Sequence, residues 1–296
     1  MNFIKSMDMK NNRELYINIY ISKVTYKLPR EVIDVLHFFV IGKDNRTNII
    51  REMLKKENKV VSKIKEADII IGPTPFTKDG NTITGTDISC GEIIEACKEK
   101  VLIAGAMDKV GEELINNNIK YHDLMELEEV AFLNAVPTAE GAISLAMEMT
   151  DITLCGASVL ILGYGRIGKV LSKMLMGIGA KVFCEARSKK DLAQIEAMGY
   201  NVVDLKDLDK NLNIYDVIFN TIPDMVINKD RLNKLKKECV IIDLASFPGG
   251  VDFEYADSIG IKAELALALP AKVAPMSAAI YLKKAIDEIV KDYEKI

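Results

Sequence analysis

The 296-residue sequence contains no tryptophan, only two histidines (His37 and His122), and five cysteines that never form a CxxC pair. So few imidazole and thiol groups, without paired spacing, predict no metal site, and the unpaired cysteines are typical of reduced thiols in a cytoplasmic protein. Aromatic residues make up 6% of the chain, which argues against a surface that stacks nucleic-acid bases. The net charge of −4, with both signs interspersed, argues against binding to nucleic acid or to an anionic membrane.

Long apolar runs are also missing. We find no run close to the ~20 apolar residues of a transmembrane helix, and the polar start from Met1 to Arg13 lacks the layout of a signal peptide. We therefore expect no membrane segment. The hydrophobic content of 49% is enough for two cores, and a chain of this length predicts two domains.

Apolar runs of strand length alternate with stretches of helical spacing from His37 onwards. The runs from Ile69 to Ile71 and from Val101 to Ala104 are two examples, and a glycine follows each of them. Such alternation predicts βαβ units and parallel sheets. We expect an α/β protein of two domains, each a largely parallel sheet with helices on both faces, the second a doubly wound Rossmann domain that binds NADP.

The domain boundaries follow from the same pattern. We place the first domain at 37–150, the Rossmann domain at 151–275, and a C-terminal helix at 276–296. By analogy with other two-domain proteins, this helix is expected to pack back on the first domain. Residues 1–36 form an extension that fits an added strand, a flexible arm or translated sequence upstream of the true start equally well.

A glycine-rich turn in the second domain is the clearest motif. The sequence GYGRIG follows an apolar run that ends at Leu162, and it opens a helical pattern that Gly179 closes. This strand, turn and helix predict a dinucleotide site, since the glycines permit a tight turn, close approach of a pyrophosphate and close helix packing. The helix N-terminus favours the phosphates. The residues predicted to contact the cofactor here are Gly163, Tyr164, Gly165, Arg166, Ile167 and Gly168.

The end of the next strand indicates which cofactor binds. The position of the usual acidic residue, which would bind the ribose 2′-OH of NAD, falls on Ala186. Glu185 is one residue early and should face the other side of the sheet. Arg187 and Ser188 follow and suit a 2′-phosphate, which favours NADP over NAD. The alternative is that Glu185 binds the ribose after a shift of one residue and that Arg187 is only solvated.

Two further strand ends of the second domain are predicted to line the same cleft, because ligands lie outside the carboxyl ends of parallel strands. Thr221, Ile222 and Pro223 follow the fourth strand and are expected near the nicotinamide ribose. Ser246 follows the fifth strand and is a candidate for contact with the substrate. Each of these segments equally fits a plain turn between a strand and a helix.

The candidates for substrate binding in the first domain are Arg46, Thr74, Asn134, Thr138 and Glu140. Arg46 and Thr74 follow strands, and a guanidinium fits a carboxylate bidentately. The other three surround Pro137, which we interpret as the first turn of a helix between the domains whose N-terminus attracts a carboxylate. The simpler interpretations are an exposed Arg46 and a Glu140 that only caps or charges the helix start.

No residue can be assigned as catalytic. The sequence has no nucleophile–His–acid arrangement, and His122, which follows a predicted strand, is the better acid–base candidate of the two histidines. In a hydride-transfer enzyme the cofactor carries the difficult step, so the protein would need only to orient the reactants and accept one proton.

Several blocks of the sequence together resemble one family. They are IGKDNR (41–46), NAVPTAEG (134–141), LGYGRIG (162–168), ARS (186–188), NTIP (220–223), DLAS (243–246), PGG (248–250) and the segment 269–275. In these blocks, spread over about residues 40 to 275, the chain resembles the A subunit of dipicolinate synthase from endospore-forming bacteria. Many dehydrogenases share the glycine-rich block, whereas NAVPTAEG and the pairing of DLAS with PGG are much more particular.

The resemblance implies NADP-dependent oxidation of dihydrodipicolinate, an intermediate of the lysine pathway, to dipicolinate during sporulation. It also implies a partner, the B subunit of dipicolinate synthase, which resembles a flavoprotein, and a place in the cytoplasm of the mother cell. The substrate is a small cyclic dicarboxylate, for which anion sites such as Arg46 are suited. The chain departs from the family at Phe247, where a lysine is expected, and around Ala271 and Ala279, where glycines are expected.

Other functions stay open at this point. A dehydrogenase of the 2-hydroxy-acid or shikimate type would use a similar cofactor, but such enzymes usually carry a His–acid or a Lys–Asp pair and we find neither. A nucleotide-binding protein without its own catalysis would leave the activity to its partner. Assembly of several copies of this chain is also open.

Overall fold

The computed structural model describes residues 36–57 and 59–293. The interpretations of residues 1–35 given above lie outside the described residues. The described chain forms two parallel β-sheets, which follow one another along the sequence and are joined by one long helix.

The first sheet has five parallel strands in the order β2-β1-β3-β4-β5. The strands are β1 (His37–Val40), β2 (Lys59–Val60), β3 (Ile69–Ile71), β4 (Val101–Ala104) and β5 (Lys120–Asp123), and the helices between them are α1 (Asn45–Glu57), α2 (Cys90–Ala96) and α3 (Gly111–Asn116). The order reverses between β1 and β3, and a crevice at the carboxyl end of such a switch point is where open α/β sheets bind ligands.

Alternate residues of these strands point to opposite faces of the first sheet, and both faces are covered. One face packs Phe38 and Ile71 against Leu54 of α1. The other packs Ile70 and Leu102 against the helices α2 and α3. A parallel sheet that is buried on both faces explains why its strands are continuous apolar runs rather than alternating ones.

The helix α4 (Glu128–Met149) leaves the first sheet and leads to the second. The prediction that Pro137 lies in the first turn of this helix is wrong, because the helix begins at Glu128 and the proline lies inside it. An interior proline removes one helical hydrogen bond and usually costs about 3 kcal/mol. Here Pro137 is buried, and the hydroxyl of Thr138 donates to the carbonyl of Asn134 over 2.7 Å. Burial of the helix in the protein has outweighed the local preference of proline for a first turn.

The same helix is long and apolar enough to cross a membrane by length and composition alone. An 18-residue window of it has a mean hydropathy of 1.3, and half of this window is buried inside the protein. The buried side chains belong to two cores: Val130 packs with the first sheet, and Ala139, Ala142 and Ala146 pack with the second. Its apolar composition is therefore used in packing.

The second sheet has six parallel strands in the order β11-β10-β9-β6-β7-β8. The strands are β6 (Ser158–Leu162), β7 (Lys181–Ala186), β8 (Asn201–Asp204), β9 (Val217–Asn220), β10 (Val240–Asp243) and β11 (Lys262–Leu265). The helices are α5 (Arg166–Ile178), α6 (Lys189–Ala197), α7 (Lys229–Leu232) and α8 (Phe253–Ser258). Counted from β6, this is the 3-2-1-4-5-6 order of the Rossmann fold, with its switch point between β6 and β9.

Helices also cover both faces of the second sheet. Leu171 and Leu175 of α5 pack on one face together with α4, whereas Leu232 of α7 and Ala256 of α8 pack on the other. The predicted fold class, two parallel sheets with helices on both faces and a Rossmann domain second, is confirmed.

The chain ends with α9 (Leu269–Val273) and α10 (Pro275–Lys291), and α10 returns to the first sheet. It contributes several buried residues to that core, namely Ala279, Leu282, Ala285, Ile286 and Val290. Lys283 of α10 is also buried, and its ammonium group lies 2.6 Å from Glu57 of α1 and 2.7 Å from Asp287. Burial alone would lower the pKa of Lys283, but the two carboxylates raise it, so the charge is kept.

Candidate functional site

The glycine turn lies at the switch point of the second sheet. β6 ends at Leu162, Gly163 adopts a φ of +91°, and α5 begins at Arg166 after the cap residue Gly165, with no side chain capping the helix. The first backbone N–H groups of a helix have no partner inside the helix. Together with the positive end of the helix dipole, they form a site for an anion such as a pyrophosphate.

Two of the three motif glycines are required by close packing. A Cβ at Gly168 would collide with the carbonyl oxygen of Gly163, and a Cβ at Gly163 would collide with the hydroxyl of Thr221. A Cβ at Gly165, in contrast, would meet nothing within 4 Å. The turn is therefore compact on its protein side and open where a ligand would approach.

The side chains of the turn are used within the protein. Tyr164 is buried with its ring edge-on to Tyr200, and the ammonium group of Lys169 lies 5.5 Å from its ring centroid. Arg166 forms an exposed ion pair of 3.2 Å with Glu128 in the first turn of α4. The side chain of Tyr164 is therefore occupied inside the protein, whereas that of Arg166 stays at the surface beside Glu128.

Glu185, near the end of β7, lies beneath the glycine turn. Its side chain is 1% exposed, and Oε2 accepts a hydrogen bond of 3.1 Å from the N–H of Gly163. The other oxygen, Oε1, is buried without a partner. Burial raises the pKa of Glu185 above its ordinary value, while the hydrogen bond from Gly163 and the charge of Arg187 oppose the rise. Glu185 thus faces the glycine turn, although the sequence predicts that it faces the other side of the sheet from the cofactor.

Arg187 and Ser188, the two residues that follow β7, differ in whether their side chains are free to bind a ligand. Arg187 is exposed and, among the residues that the structure describes, forms no hydrogen bond or ion pair. Ser188 caps α6, since its hydroxyl accepts the N–H of Asp191 at 3.0 Å and donates to the carboxylate of the same residue at 2.6 Å. Arg187 is therefore free to bind a ligand, whereas the hydroxyl of Ser188 is already occupied.

A buried polar network ties the ends of β9 and β10 together. Asn220 and Asp243 are both completely buried, and the amide of Asn220 donates to Asp243 Oδ1 over 2.9 Å. Asp243 also accepts the N–H of Ala245 at 3.0 Å and that of Gly250 at 2.6 Å. Sequence reasoning missed this pair. The sequence does carry a signal for this pair, because Asn220 and Asp243 are each the single polar residue at the end of an otherwise apolar strand.

The predicted cleft residues lie around this network. The hydroxyl of Thr221 donates to the carbonyl of Leu162 over 2.9 Å and so joins β9 to β6. Ile222 is half-buried and lies against Gly163, while Pro223 and Ser246 are exposed at the ends of the turns after β9 and β10. All four lie at the carboxyl edge of the second sheet, where the turns of β6, β9 and β10 meet.

Arg46 lies at the corresponding edge of the first sheet, next to the β1–β3 switch point. Its side chain is only 11% exposed, so it is not the exposed helix-start residue of the simpler interpretation. Its Nη2 donates to the carbonyl of Thr74, and its Nε is buried without a hydrogen-bond partner. Asp44, which accepts the N–H groups of Arg46 and Thr47, caps α1 at this point. Burial lowers the pKa of Arg46, and Asp44 opposes the change.

A small cavity of about 10 Å³ lies beside Arg46. This is about the space of one water molecule. Its lining combines the switch-point residues with apolar side chains of the C-terminal helix, and consists of Arg46, Thr47, Ile50, Ile71, Gly72, Thr74, Leu124, Leu282 and Ile286. Arg46 thus borders a small cavity whose other lining side chains are mostly apolar.

The remaining predicted residues lie on α4 and β5. Asn134, Thr138 and Glu140 lie in the middle of α4, so the prediction that they surround a helix N-terminus is wrong. Glu140 is exposed, and Asn134 is buried with an unpartnered Oδ1. His122 lies in β5 at the sheet edge with its Nε2 2.9 Å from the hydroxyl of Tyr293, and burial lowers its pKa.

Comparison with known proteins supports this description. A family model for the NAD-binding domain of S-adenosyl-L-homocysteine hydrolase matches residues 134–267. The A subunit of dipicolinate synthase of Bacillus subtilis (strain 168) is 39% identical over 171 residues, and the match covers 58% of this chain and 58% of that protein. The matched part is thus less than two thirds of the length of the curated relative.

Two solved structures match over a larger part of the chain. The A chain of dipicolinate synthase from Bacillus subtilis is 30% identical, with a TM-score of 0.81 over 87% of this chain and 96% of that chain. The A subunit of dipicolinate synthase from Bacillus halodurans is 29% identical, with a TM-score of 0.78 over 86% of this chain and 97% of that chain.

The glycine turn provides a direct test of the dinucleotide site. In Gly168→Ala the added methyl group collides with the backbone of Gly163, so we expect overpacking of about 1–3 kcal/mol and a loss of affinity for nicotinamide dinucleotides of about tenfold or more. Gly177→Ala in the same helix is the matched control, because its methyl group meets nothing within 4 Å. Urea unfolding and fluorescence titration with NADPH measure both effects. Equal behaviour of the two variants would contradict the packing role.

The buried Glu185 predicts a pH dependence of stability. The pKa of Glu185 is raised above its ordinary value of 4.5, so between the two values the folded protein retains a proton that the unfolded chain has released. The free energy of unfolding therefore falls as the pH rises from the unfolded-state pKa to the folded-state pKa, by about 1.4 kcal/mol for each pH unit between them. Glu185→Gln cannot ionise and should lack this loss. The free energies of unfolding of the wild type and of Glu185→Gln, measured from about pH 4 to about pH 8, test this prediction.

The exposed Glu196 of α6 offers a control, since Glu196→Gln should leave the pH dependence of the wild type in place. Parallel stability curves for the wild type and Glu185→Gln would show that the buried carboxyl titrates normally.

Proposed function

Because this chain belongs to the family of the dipicolinate synthase A subunit, we propose that it oxidises dihydrodipicolinate to dipicolinate with NADP as the hydride acceptor. The observation that carries the proposal is the match to the Bacillus subtilis A chain, at 30% identity over 96% of that chain. The fold is that of NAD(P)-binding dehydrogenases. The proposal includes a partner, the B subunit of dipicolinate synthase, and a place in the cytoplasm of the mother cell during sporulation.

The glycine turn would hold the pyrophosphate of the cofactor. The open space at Gly165 and the uncapped N-terminus of α5 support this assignment, since both leave backbone N–H groups available to an anion. Thr221 and Ile222 lie on the other side of the turn and would border the nicotinamide ribose. When bound, NADP supplies the electron-accepting ring, and the residues of the chain orient the substrate against it.

The choice of NADP rests on the end of β7. Ala186 offers no carboxylate to a ribose 2′-OH, and Glu185 is buried beneath Gly163. Arg187 is exposed and has a free guanidinium, which fits a phosphate bidentately. Lys189 and Lys190 are also exposed and add positive charge at the start of α6. These features favour a 2′-phosphate at this corner of the sheet.

The substrate is a ring with two carboxylates, and Arg46 is the residue that we propose for one of them. Its Nε lies 3.9 Å from Oδ1 of Asp44 without forming a hydrogen bond, and its Nη1 forms no hydrogen bond with the described residues, so two donors remain for a ligand. The oxidation removes a hydride and releases a proton while the ring becomes aromatic. Because aromatisation favours hydride loss, the reaction needs positioning more than it needs a strong base.

The activity is tested with the purified chain, alone and with the B subunit. Dihydrodipicolinate is generated in situ, and we expect NADP reduction and dipicolinate formation in equal amounts. Arg187→Ala should raise the KM for NADP about tenfold or more, since a hydrogen-bonded charge contributes about 1.5–3 kcal/mol, without changing the KM for NAD. Lys237→Ala, an exposed cation before β10, is the control. No turnover in any mixture would refute the enzyme proposal, and turnover with NAD alone would refute the choice of NADP.

The role of Arg46 is tested in the same assay. Arg46→Ala should raise the KM for dihydrodipicolinate by about 10- to 100-fold, because a charged hydrogen-bond partner of the carboxylate is lost, and it should leave the KM for NADP unchanged. Arg51→Ala is the matched control in α1, since among the described residues the guanidinium of Arg51 binds the carbonyls of Val40 and Gly42 and the side chain of Asn48. Thermal unfolding of both variants confirms that they are folded. An unchanged KM in Arg46→Ala would remove this residue from the site.

A further inference from the structure

Glu185 brings a buried carboxyl group to the glycine turn that we assign to the cofactor. It is the register partner of Leu162, the last residue of β6, so its side chain lies next to the point where the turn begins. Oε2 accepts the N–H of Gly163 at 3.1 Å, whereas Oε1 is buried and has no hydrogen-bond partner among the described residues. An ionised carboxylate is costly to bury with one oxygen unpaired, so the surroundings of Glu185 support its charged form poorly.

Three charged side chains act on this carboxyl group, and each comes from a different part of the second domain. Arg187 follows β7 and Arg231 belongs to α7, and both favour the ionised form, whereas Asp204 at the end of β8 disfavours it. Arg231 is bound to Asp209 at 3.0 Å, so Arg187 is, of these two cations, the one without an ion pair in the described chain. Burial outweighs the two cations and raises the pKa of Glu185.

A dinucleotide at the turn would change the charges around this carboxyl group in two ways. Its diphosphate would bring negative charge to the N–H groups at the start of α5, close to Gly163, and a like charge disfavours an ionised carboxylate. A 2′-phosphate on Arg187 would at the same time neutralise the cation that favours the ionised form of Glu185. Both changes favour a proton on the carboxyl group, whose carbonyl oxygen can still accept the hydrogen bond from Gly163.

We propose that Glu185 is a positioning residue that couples cofactor binding to proton uptake, so that the turn binds NADP most tightly when this carboxyl group is neutral. The inference rests on the proposed function, because it takes NADP as the ligand. Glu185 acts through the backbone of Gly163 and does not itself touch the cofactor. Linkage is reciprocal, so a ligand that favours the protonated acid must bind more tightly where the acid is protonated.

The sign of the pH dependence follows from this linkage. The pKa of Glu185 is higher in the complex than in the free protein, so the affinity for NADP is greatest below both values. It falls as the pH rises from the lower to the higher pKa, by up to about tenfold for each pH unit between them. In this window the free protein has released a proton that the complex retains, so binding takes up a proton.

Calorimetric titration of the full chain with NADPH tests the coupling. The wild type, Glu185→Gln and the control Glu196→Gln are titrated between about pH 5 and about pH 9, each in two buffers of different ionisation enthalpy, which gives Kd and the number of protons taken up. Glutamine keeps a carbonyl for Gly163, so we expect Glu185→Gln to bind within about twofold of the wild type at the lowest pH. The Kd of the wild type should then rise about tenfold or more relative to that of Glu185→Gln, and Glu196→Gln should follow the wild type.

The 2′-phosphate of NADPH also titrates, near about pH 6, but it does so in all three proteins and cancels in their comparison. Wild-type titration with NADH, which lacks this phosphate, should still show proton uptake and decides the question if Glu185→Gln does not fold.

Three results would overturn the inference and leave the dinucleotide site in place. They are parallel pH profiles of the wild type and Glu185→Gln, binding by Glu185→Gln that is weakened equally at every pH, and an absence of proton uptake when the wild type binds NADH. Equal weakening would show a purely structural role for the hydrogen bond to Gly163. If the wild type binds no NADPH at any pH, both the inference and the proposed function are wrong.

Discussion

The carboxylate of Asp243 is the interaction on which the edge of the second sheet depends. It is completely buried and accepts hydrogen bonds from Asn220, Ala245 and Gly250. A buried carboxylate needs several such donors to remain in the interior, and each of these donors belongs to a different part of the edge. One side chain therefore sets the level of β9 against β10 and shapes the turn after β10. The glycine turn is linked to the same frame through Thr221, which follows Asn220 and binds the carbonyl of Leu162.

The two sheets offer different chemistry at their switch points. In the second sheet the ligand would meet backbone N–H groups at the start of α5, which suit a pyrophosphate because they carry only partial charges and follow a curved path. In the first sheet it would meet the guanidinium of Arg46, which lies beside Asp44 and next to mostly apolar side chains and which we propose for a single carboxylate. The proposed division between a dinucleotide side and a carboxylate side rests on this difference between the strand ends.

The glycine turn could be predicted from the sequence because it depends on neighbouring residues. Features that depend on contacts between distant residues could not be predicted. The motif around Gly163 and Gly168 is contained in one strand, one turn and one helix, so its spacing determines its geometry. The start of α4 was misplaced, because the packing of Pro137 against distant residues is invisible in its neighbours. The burial of Arg46 was missed for the same reason, since α10 from the end of the chain encloses it. The pairing of Asn220 with Asp243 required knowledge of which strands are adjacent.

The enclosure of Arg46 by α10 makes the substrate side depend on the end of the chain. Leu282 and Ile286 line the cavity beside Arg46, and Lys283 lies between them along the helix. The ammonium group of Lys283 is held by Asp287 in its own helix and by Glu57 at the end of α1, the helix that carries Arg46 near its start. The pair with Asp287 lies within α10, whereas the pair with Glu57 joins α10 to the end of α1 and so helps to hold the two helices together. The same contact therefore keeps the apolar wall of the pocket against the guanidinium that we assign to the substrate.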